Sequence, residues 1–275
     1  MAMLHHVSLL TGSAAATRDF YEERLGLRLV KNTVNQEDLK MRHLFFGDRF
    51  GTLGTVISFF VIDHLGSRYD DGDFLTGVTL GIPDGSAAYW TARLGGLTVT
   101  DPNDVAITLV ENGPALPAAR QVAGSVPGDH QITGLVSTSL ETTSTAEAQR
   151  FASTMLADDP GLILRPGHAG THRFGRGSMD HVAFVVPDKG ALDDIAARAS
   201  ANQFVIEKFA DRGWFTSLYV LTPGGVRIEF ATPGPGFTLD EPVETLGQGL
   251  GLPPFLEAKR PVITAYFHDK GVDFS

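Results

Sequence analysis

Three residues distant along the chain, His6, His181 and Glu229, have side chains suited to hold one metal ion. His6 lies in Leu4–Leu10 (LHHVSLL) and His181 in Asp180–Val186 (DHVAFVV), and the two runs superimpose as HVSLL on HVAFVV. Side chains alternate along a strand, so His6, Ser8 and Leu10 share one face, and His181, Ala183 and Val185 share another. Glu229 stands in Gly224–Phe230 (GGVRIEF), where apolar residues alternate with Arg227 and Glu229. Overlay on Gly54–Phe60 (GTVISFF) sets Phe59 at the position of Glu229, so this pair of segments supplies a single carboxylate. Two neutral imidazoles and one carboxylate leave about three positions open on an octahedral ion. That donor set suits Fe(II) binding both a substrate and dioxygen, with Mn(II) a close substitute, whereas Zn(II) usually takes four ligands. A lone strand histidine is more often structural, and a strand-end glutamate more often solvated. Their joint occurrence at matched positions is what singles these three out.

The elements that must position them repeat along the chain. Leu4–Leu10 predicts a strand, Ser13–Leu25 a helix stopped by Gly26, and Leu27–Val30 a return to extended chain. The same order recurs from Leu75, with a helix over AAYWTARL, from about Thr133, with a helix around Ala146–Leu156, and from Met179, with a helix over ALDDIAARAS. Four βαβββ modules are therefore expected: an α+β fold in which strands curl into open mixed β-barrels with helices outside. The Gly- and Pro-containing stretch Glu111–His130 divides the chain into residues 1–122 and 123–275, two modules each. From about residue 233 the chain predicts an irregular arm lying over the body.

Bulk properties narrow the partners. The 275 residues include no cysteine, so disulfides and thiolate metal sites are excluded. A formal net charge of −10 argues against a nucleic-acid partner. No run of apolar residues is long enough to span a membrane, and the start (MAMLHH) has no signal-peptide pattern. A cytoplasmic location is the default expectation, and a homo-oligomer is compatible with the sequence.

The chain resembles the vicinal oxygen chelate superfamily, and within it the hydroquinone-type ring-cleaving dioxygenases. The resemblance covers nearly the whole chain. It rests on HHVS, DFYEERLGLRLVKNTVNQED, HLFFGD with LGTVISFF, DHVAFVVPD, and TPGGVRIEFATPGPGFTLDEPVETLG; the LVKNTVN and PGF-x-x-DEP runs are specific to that branch. It implies Fe(II) on His6, His181 and Glu229, and a small aromatic substrate cleaved with dioxygen. It also implies supporting roles for Arg212, in DRGW, and for Tyr219, in SLY. Arg212 would stabilise negative charge developing on the phenolate, and Tyr219 would donate a hydrogen bond or relay a proton. His5 matches a further active-site histidine of the family, although a regular strand would turn it away from His6. Two positions depart from the family pattern: Ser8 stands where threonine is frequent, and Asp180 where a second histidine is frequent.

Asp180 keeps two other readings open: a metal-dependent isomerase or lyase of the glyoxalase type, and a non-catalytic protein that binds aromatic compounds. Among the remaining candidates, His43 precedes a strand, and His168 and His172 fall in a Gly-rich loop where surface or loop roles are expected. Trp214 and Phe215 would either wall an aromatic pocket or pack in the core.

Overall fold

The structure, a computed structural model, describes residues 3–156 and 161–274. Met1 and Ala2, within the N-terminal run that lacks a signal-peptide pattern, lie outside the described residues. Module one contains β1 (Leu4–Thr11), α1 (Ala14–Arg18), β2 (Arg28–Val34), β3 (Arg42–Gly47) and β4 (Val56–Val61). Ser13 caps α1 by accepting the Ala16 N–H, which satisfies one of the free donors at a helix start. The helix continues as a π-helical turn through Arg24, and Gly26 follows with φ of 73°. A Cβ on Gly26 would sit 2.5 Å from Val126 Cγ2, so both backbone conformation and space require glycine there.

Module two supplies β5 (Phe74–Ile82), α2 (Ala87–Leu94), β6 (Thr98–Thr100) and β7 (Ala106–Glu111), and module three β8 (Gly134–Thr142), α3 (Thr145–Met155) and β9 (Leu162–Pro166). Module four holds β10 (Met179–Val185), α4 (Lys189–Ala201), β11 (Val205–Asp211), β12 (Thr216–Leu221) and β13 (Arg227–Ala231). Modules one and four thus have the full βαβββ order. Among the described residues the middle two are shorter than expected, βαββ and βαβ. The remaining strands are replaced by Gly- and Pro-containing chain over 112–133 and 167–178, which cannot sustain a hydrogen-bonded ladder. The second stretch makes only isolated bridges, Ser67 with Arg176 and Tyr69 with Arg173.

All the strands join one open, mixed sheet. Modules four and one run in the order β11-β12-β13-β10-β1-β4-β3-β2, and β5 and β8 pair modules two and three. Each curl therefore draws one module from either side of residue 122. β1 and β10 are antiparallel neighbours, and each is flanked on its other side by a parallel strand, β4 or β13. This brings His6 and His181 together although 175 positions separate them. Alternation then sorts the faces. Val7 and Leu9 enter the core with Phe20, Tyr21, Trp90, Phe151 and Leu192 of the helical segments, whereas His6, Ser8 and Leu10 face a cavity. No helix among the described residues is long and apolar enough to cross a membrane.

The tail is more regular than its Pro and Gly content suggests. After several 3₁₀ turns it forms α5 (Arg260–His268), with a proline in its first turn. Ile263 and Phe267 pack on Val34, Leu250 and Leu252. Their i, i+4 spacing identifies the buried face, and the preceding PGPG and GLGLPP segments obscured it. Lys31, fully buried in β2, ties the arm down. Its ammonium donates to Phe237 O at 3.0 Å and Asp240 Oδ1 at 2.8 Å, contacts Glu241, and lies 5.1 Å from the Trp214 ring centroid. Replacing Lys31 with methionine would strand two largely buried carboxylates, and breaking a buried pair from one side costs about 3–5 kcal/mol. Urea unfolding of Lys31→Met is expected to show a loss of that size; a midpoint like the wild type's would mean the arm is held by apolar packing alone.

Candidate metal centre

The centre is assembled where β1, β10 and β13 lie side by side. Parallel pairing of β10 with β13 sets Glu229 opposite Ala183, and antiparallel pairing of β12 with β13 sets Tyr219 opposite Glu229. His6 Nε2 and His181 Nε2 are 3.1 Å apart. Glu229 Oε2 lies 2.9 Å from His181 Nε2 and 3.4 Å from His6 Nε2. All three residues are buried, Glu229 completely. Among the described residues these three form the group able to hold a metal ion.

Matching module one to module four through strand pairing corrects the overlay of Phe59 on Glu229. Ser8 pairs with Ser58 as Ala183 pairs with Glu229, so Ser58 is the counterpart of Glu229. Phe59 points into the core, because a one-residue slip transfers every side chain to the opposite face. Ser58 Oγ sits 2.6 Å from Ser8 Oγ and 3.0 Å from His43 Nε2. Ser8 and His43 both line the cavity.

The hydrogen bonds around the imidazoles specify their lone pairs. Asp180 Oδ2 lies 2.6 Å from His181 Nδ1, which places a proton on Nδ1 and, in the neutral ring, a lone pair on Nε2. His5 Nε2 faces the Thr232 carbonyl at 3.2 Å, so neutral His5 donates there and offers its Nδ1 lone pair. His6 Nδ1, 2.9 Å from His5 Nδ1, must then be the donor, leaving a lone pair on His6 Nε2 as well. Glu229 Oε1 accepts from Ser217 Oγ at 2.5 Å, while the buried Oε2 faces the two histidine Nε2 atoms. With His181 neutral, three lone-pair atoms converge; without a metal His181 keeps a proton on Nε2 toward Glu229 Oε2, and a shared cation would take that proton's place. A metal–ligand bond of about 2.1 Å sets neighbouring donors about 3 Å apart at right angles, close to the separations found. The residues present fit a divalent ion.

The other residues singled out from sequence take distinct places. His5 does not turn away from His6, because the β1–β10 register shifts between Leu4 and His6; the bulge keeps both rings on one side. Arg212 donates to the Tyr219 hydroxyl at 3.1 Å and pairs with Glu37 at 2.9 Å. Asp180 accepts from Arg227 Nη1 at 2.7 Å through both oxygens, and Arg227 also clasps Glu207 at 2.6 Å. Trp214 and Phe215 wall the cavity. His172, in the loop expected, also lines the cavity. Arg227, Ser217 and Glu37 were not singled out from sequence, and Ser217 and Glu37 carried no readable signal. Alternation in β13 put Arg227 and Glu229 on one face, the one hint to the first of them.

Electrostatics at the centre predict a pH optimum for stability. Burial, followed by the charge of His6, lowers the His5 pKa to about 3. Burial also lowers His6 and His43. Burial pulls His181 down as well, but the Glu229 charge and the Asp180 hydrogen bond outweigh it and raise His181 to about 9. The raised His181 contributes stability that is complete below its ordinary value of about 6.5 and is lost as pH rises through about 9. The three depressed histidines act oppositely: the unfolded chain takes up their protons below about 6.5, and stability falls with them. The metal-free protein is therefore expected to be most stable at about pH 7, where the unfolded chain and the native protein hold equal numbers of histidine protons, with a slope of about 1.4 kcal/mol per pH unit for each proton of difference. Urea titrations in a chelator across pH 5–9 read it directly; stability rising steadily to pH 9 would contradict it.

Comparison with known proteins agrees with this architecture. The family model described as Glyoxalase/Bleomycin resistance protein/Dioxygenase superfamily matches residues 3–54 and 84–230. A Bacillus subtilis (strain 168) protein named a ring-cleaving dioxygenase, MhqA, is 30% identical over 95% of this chain and 96% of its own. A chlorohydroquinone/hydroquinone 1,2-dioxygenase of Sphingobium indicum is 28% identical over 97% and 96%. A crystal structure from Bacillus subtilis, described as a dioxygenase, superposes with a TM-score of 0.86 at 26% identity, covering 96% of both chains. Glyoxalase I from Zea mays shares the fold with a TM-score of 0.57 at 14% identity, over 85% and 93%. The paired βαβββ modules and the extent of the family match agree: the chain belongs to the glyoxalase/bleomycin resistance protein/dioxygenase superfamily.

Proposed function

We propose that this protein is an Fe(II)-dependent dioxygenase that opens the ring of a hydroquinone- or catechol-like substrate, with His6, His181 and Glu229 as the metal ligands and Mn(II) as a close substitute for iron. The observation that carries this reading is the convergence of His6, His181 and Glu229 ligand atoms within 4.8 Å of one another, with both imidazoles on the wall of a cavity of about 840 Å³. The names of relatives aligned over almost the whole chain support the reaction class. A bound Fe(II) would supply Lewis acidity toward a phenol oxygen and redox chemistry toward dioxygen.

The protein's own groups prepare the substrate. Phe60 and Phe215 line the cavity beside the histidines, with Phe60 6.5 Å from the His181 ring centroid and Phe215 5.5 Å from that of His6. They present apolar faces to a flat ring and keep water from it. Burial, then the charge of Glu229, holds the Tyr219 hydroxyl well above its ordinary pKa. Tyr219 is therefore neutral, and with Arg212 donating to its oxygen its own proton is free to go to a substrate oxygen. Arg212, cationic and largely buried, stabilises negative charge beside it. Ser8, Ser58 and His43 form a second hydrogen-bonded chain on the cavity wall that can receive a ring hydroxyl. Asp180 is engaged by His181 and Arg227, so it acts on the metal ligand.

The test is anaerobic loading with Fe(II), followed by oxygen-electrode assay with hydroquinones and catechols. One dioxygen consumed per ring opened is expected. Bound iron without oxygen uptake on any of them would favour the isomerase or lyase chemistry available to the same fold. Purification without stoichiometric iron or manganese, and no retention on loading, would favour a pure binder.

A further inference from the structure

The cavity is much larger than the reaction requires. A cavity of about 150 Å³ suffices to hold benzene, whereas this one holds about 840 Å³ and extends well beyond the convergent histidines and Glu229. Its far wall comes from other modules: Phe74 at the start of β5, and His172 and Phe174 in the loop that precedes β10. The Phe74 and His172 rings stack at 5.1 Å and 13°, and Phe174 meets His172 edge-on at 5.0 Å. Phe174 is 53% exposed although it lines the cavity, so it offers apolar surface that a ligand would cover.

The charges decide the chemistry of what this wall can take. Asp73 accepts from the Thr142 and Thr143 hydroxyls, Glu37 pairs with Lys208 and Arg212, and Arg227 holds Asp180 and Glu207. The charged side chains lining the cavity are thus already engaged with one another or with hydroxyls. Each cation among the lining residues is already paired with a carboxylate, so none is left to balance an anionic substituent, whose desolvation would go uncompensated. Stacked aromatic faces, by contrast, favour a flat apolar group.

We propose that the cavity has an outer chamber, walled by Phe74, His172 and Phe174, that receives an uncharged aromatic or bulky alkyl substituent on the substrate ring. The natural substrate is then a substituted hydroquinone or catechol larger than a single ring. This inference rests on the ring-cleavage reading for the core of the substrate and adds what that core carries.

The experiment measures binding without turnover. Fe(II)-loaded protein is titrated calorimetrically, under anaerobic conditions, with hydroquinone and with phenylhydroquinone. Wild type is expected to bind phenylhydroquinone at least tenfold more tightly, and Phe174→Ser to reduce that ratio to threefold or less. Phe209→Ser, which removes an exposed phenylalanine outside the cavity, is expected to keep the wild-type ratio. Equal affinities in the wild type, or a preference undiminished in Phe174→Ser, would overturn the proposal. Oxygen uptake by the same preparation reports separately on ring cleavage, so failure of the reaction and failure of the chamber give different results.

Discussion

Glu229→Gln is expected to fold like the wild type and to lose its hold on iron. The substituted amide preserves the shape of the side chain and can still meet Ser217, so the strand pairing of β13 with β10 and β12 is undisturbed. What disappears is the one anionic donor of the set. Either the amide nitrogen, which has no lone pair to give, or a neutral carbonyl then faces the two imidazoles. The drop in affinity should exceed the roughly 10–100-fold that follows loss of an outer partner, with ring-opening activity falling alongside. Iron content after loading and desalting measures it. Wild-type iron content and activity in Glu229→Gln would remove this residue from the centre. The same variant removes the charge that raises His181, so the decline in metal-free stability above about pH 7 should weaken with it.

The second large effect is expected at Asp180. Its Oδ2 is 2.6 Å from His181 Nδ1, and both oxygens are 2.7 Å from Arg227 Nη1. Burial pushes this carboxyl up, but the hydrogen bond and charge of His181 and the charge of Arg227 prevail and hold it well below the usual carboxylate range. It is therefore an anion bonded to the far side of a proposed metal ligand, where it fixes the tautomer and increases the basicity of Nε2. His6 has only the neutral imidazole of His5 in that position. The two ligands differ in donor strength for that reason. Asp180→Asn keeps an acceptor for Nδ1 but removes the charge, and chelator competition is expected to show metal affinity 10–100-fold weaker. An unchanged affinity would reduce Asp180 to a structural partner of Arg227. The family histidine at this position could not supply the anion, so the departure at Asp180 alters how His181 is supported and leaves the donor set intact.

Much of this architecture was legible in the sequence because strands and helices impose periods on it. The repeated order of strand, helix and glycine placed all four helices of the modules, and the match of HVSLL to HVAFVV put His6 and His181 at equivalent positions. Other features depend on contacts that no period encodes. Ser58 and Phe59 are adjacent, and only the register of β4 against β1 decides which of them matches Glu229. His5 stays beside His6 through a bulge, and bulges leave no mark on alternation. Arg227 supports a site through an ion pair to Asp180, 47 positions away. The LVKNTVN and PGF-x-x-DEP runs stood out, but their connection did not: Lys31 of the first grips Asp240 and Glu241 of the second. That grip also secures Trp214, whose indole N–H donates to Asp240 Oδ1 at 2.7 Å. His172 reads as a surface-loop residue because glycines surround it, and the fold of that loop across the cavity is what brings it to the wall.

The most direct measurement is an anomalous-scattering map at the iron edge from crystals loaded with Fe(II) without oxygen. One iron per chain is expected, within about 2 Å of His6 Nε2, His181 Nε2 and Glu229 Oε2 together. Iron bound elsewhere, for instance at His168 in the Gly-rich loop, with the three convergent atoms left uncoordinated, would contradict the account.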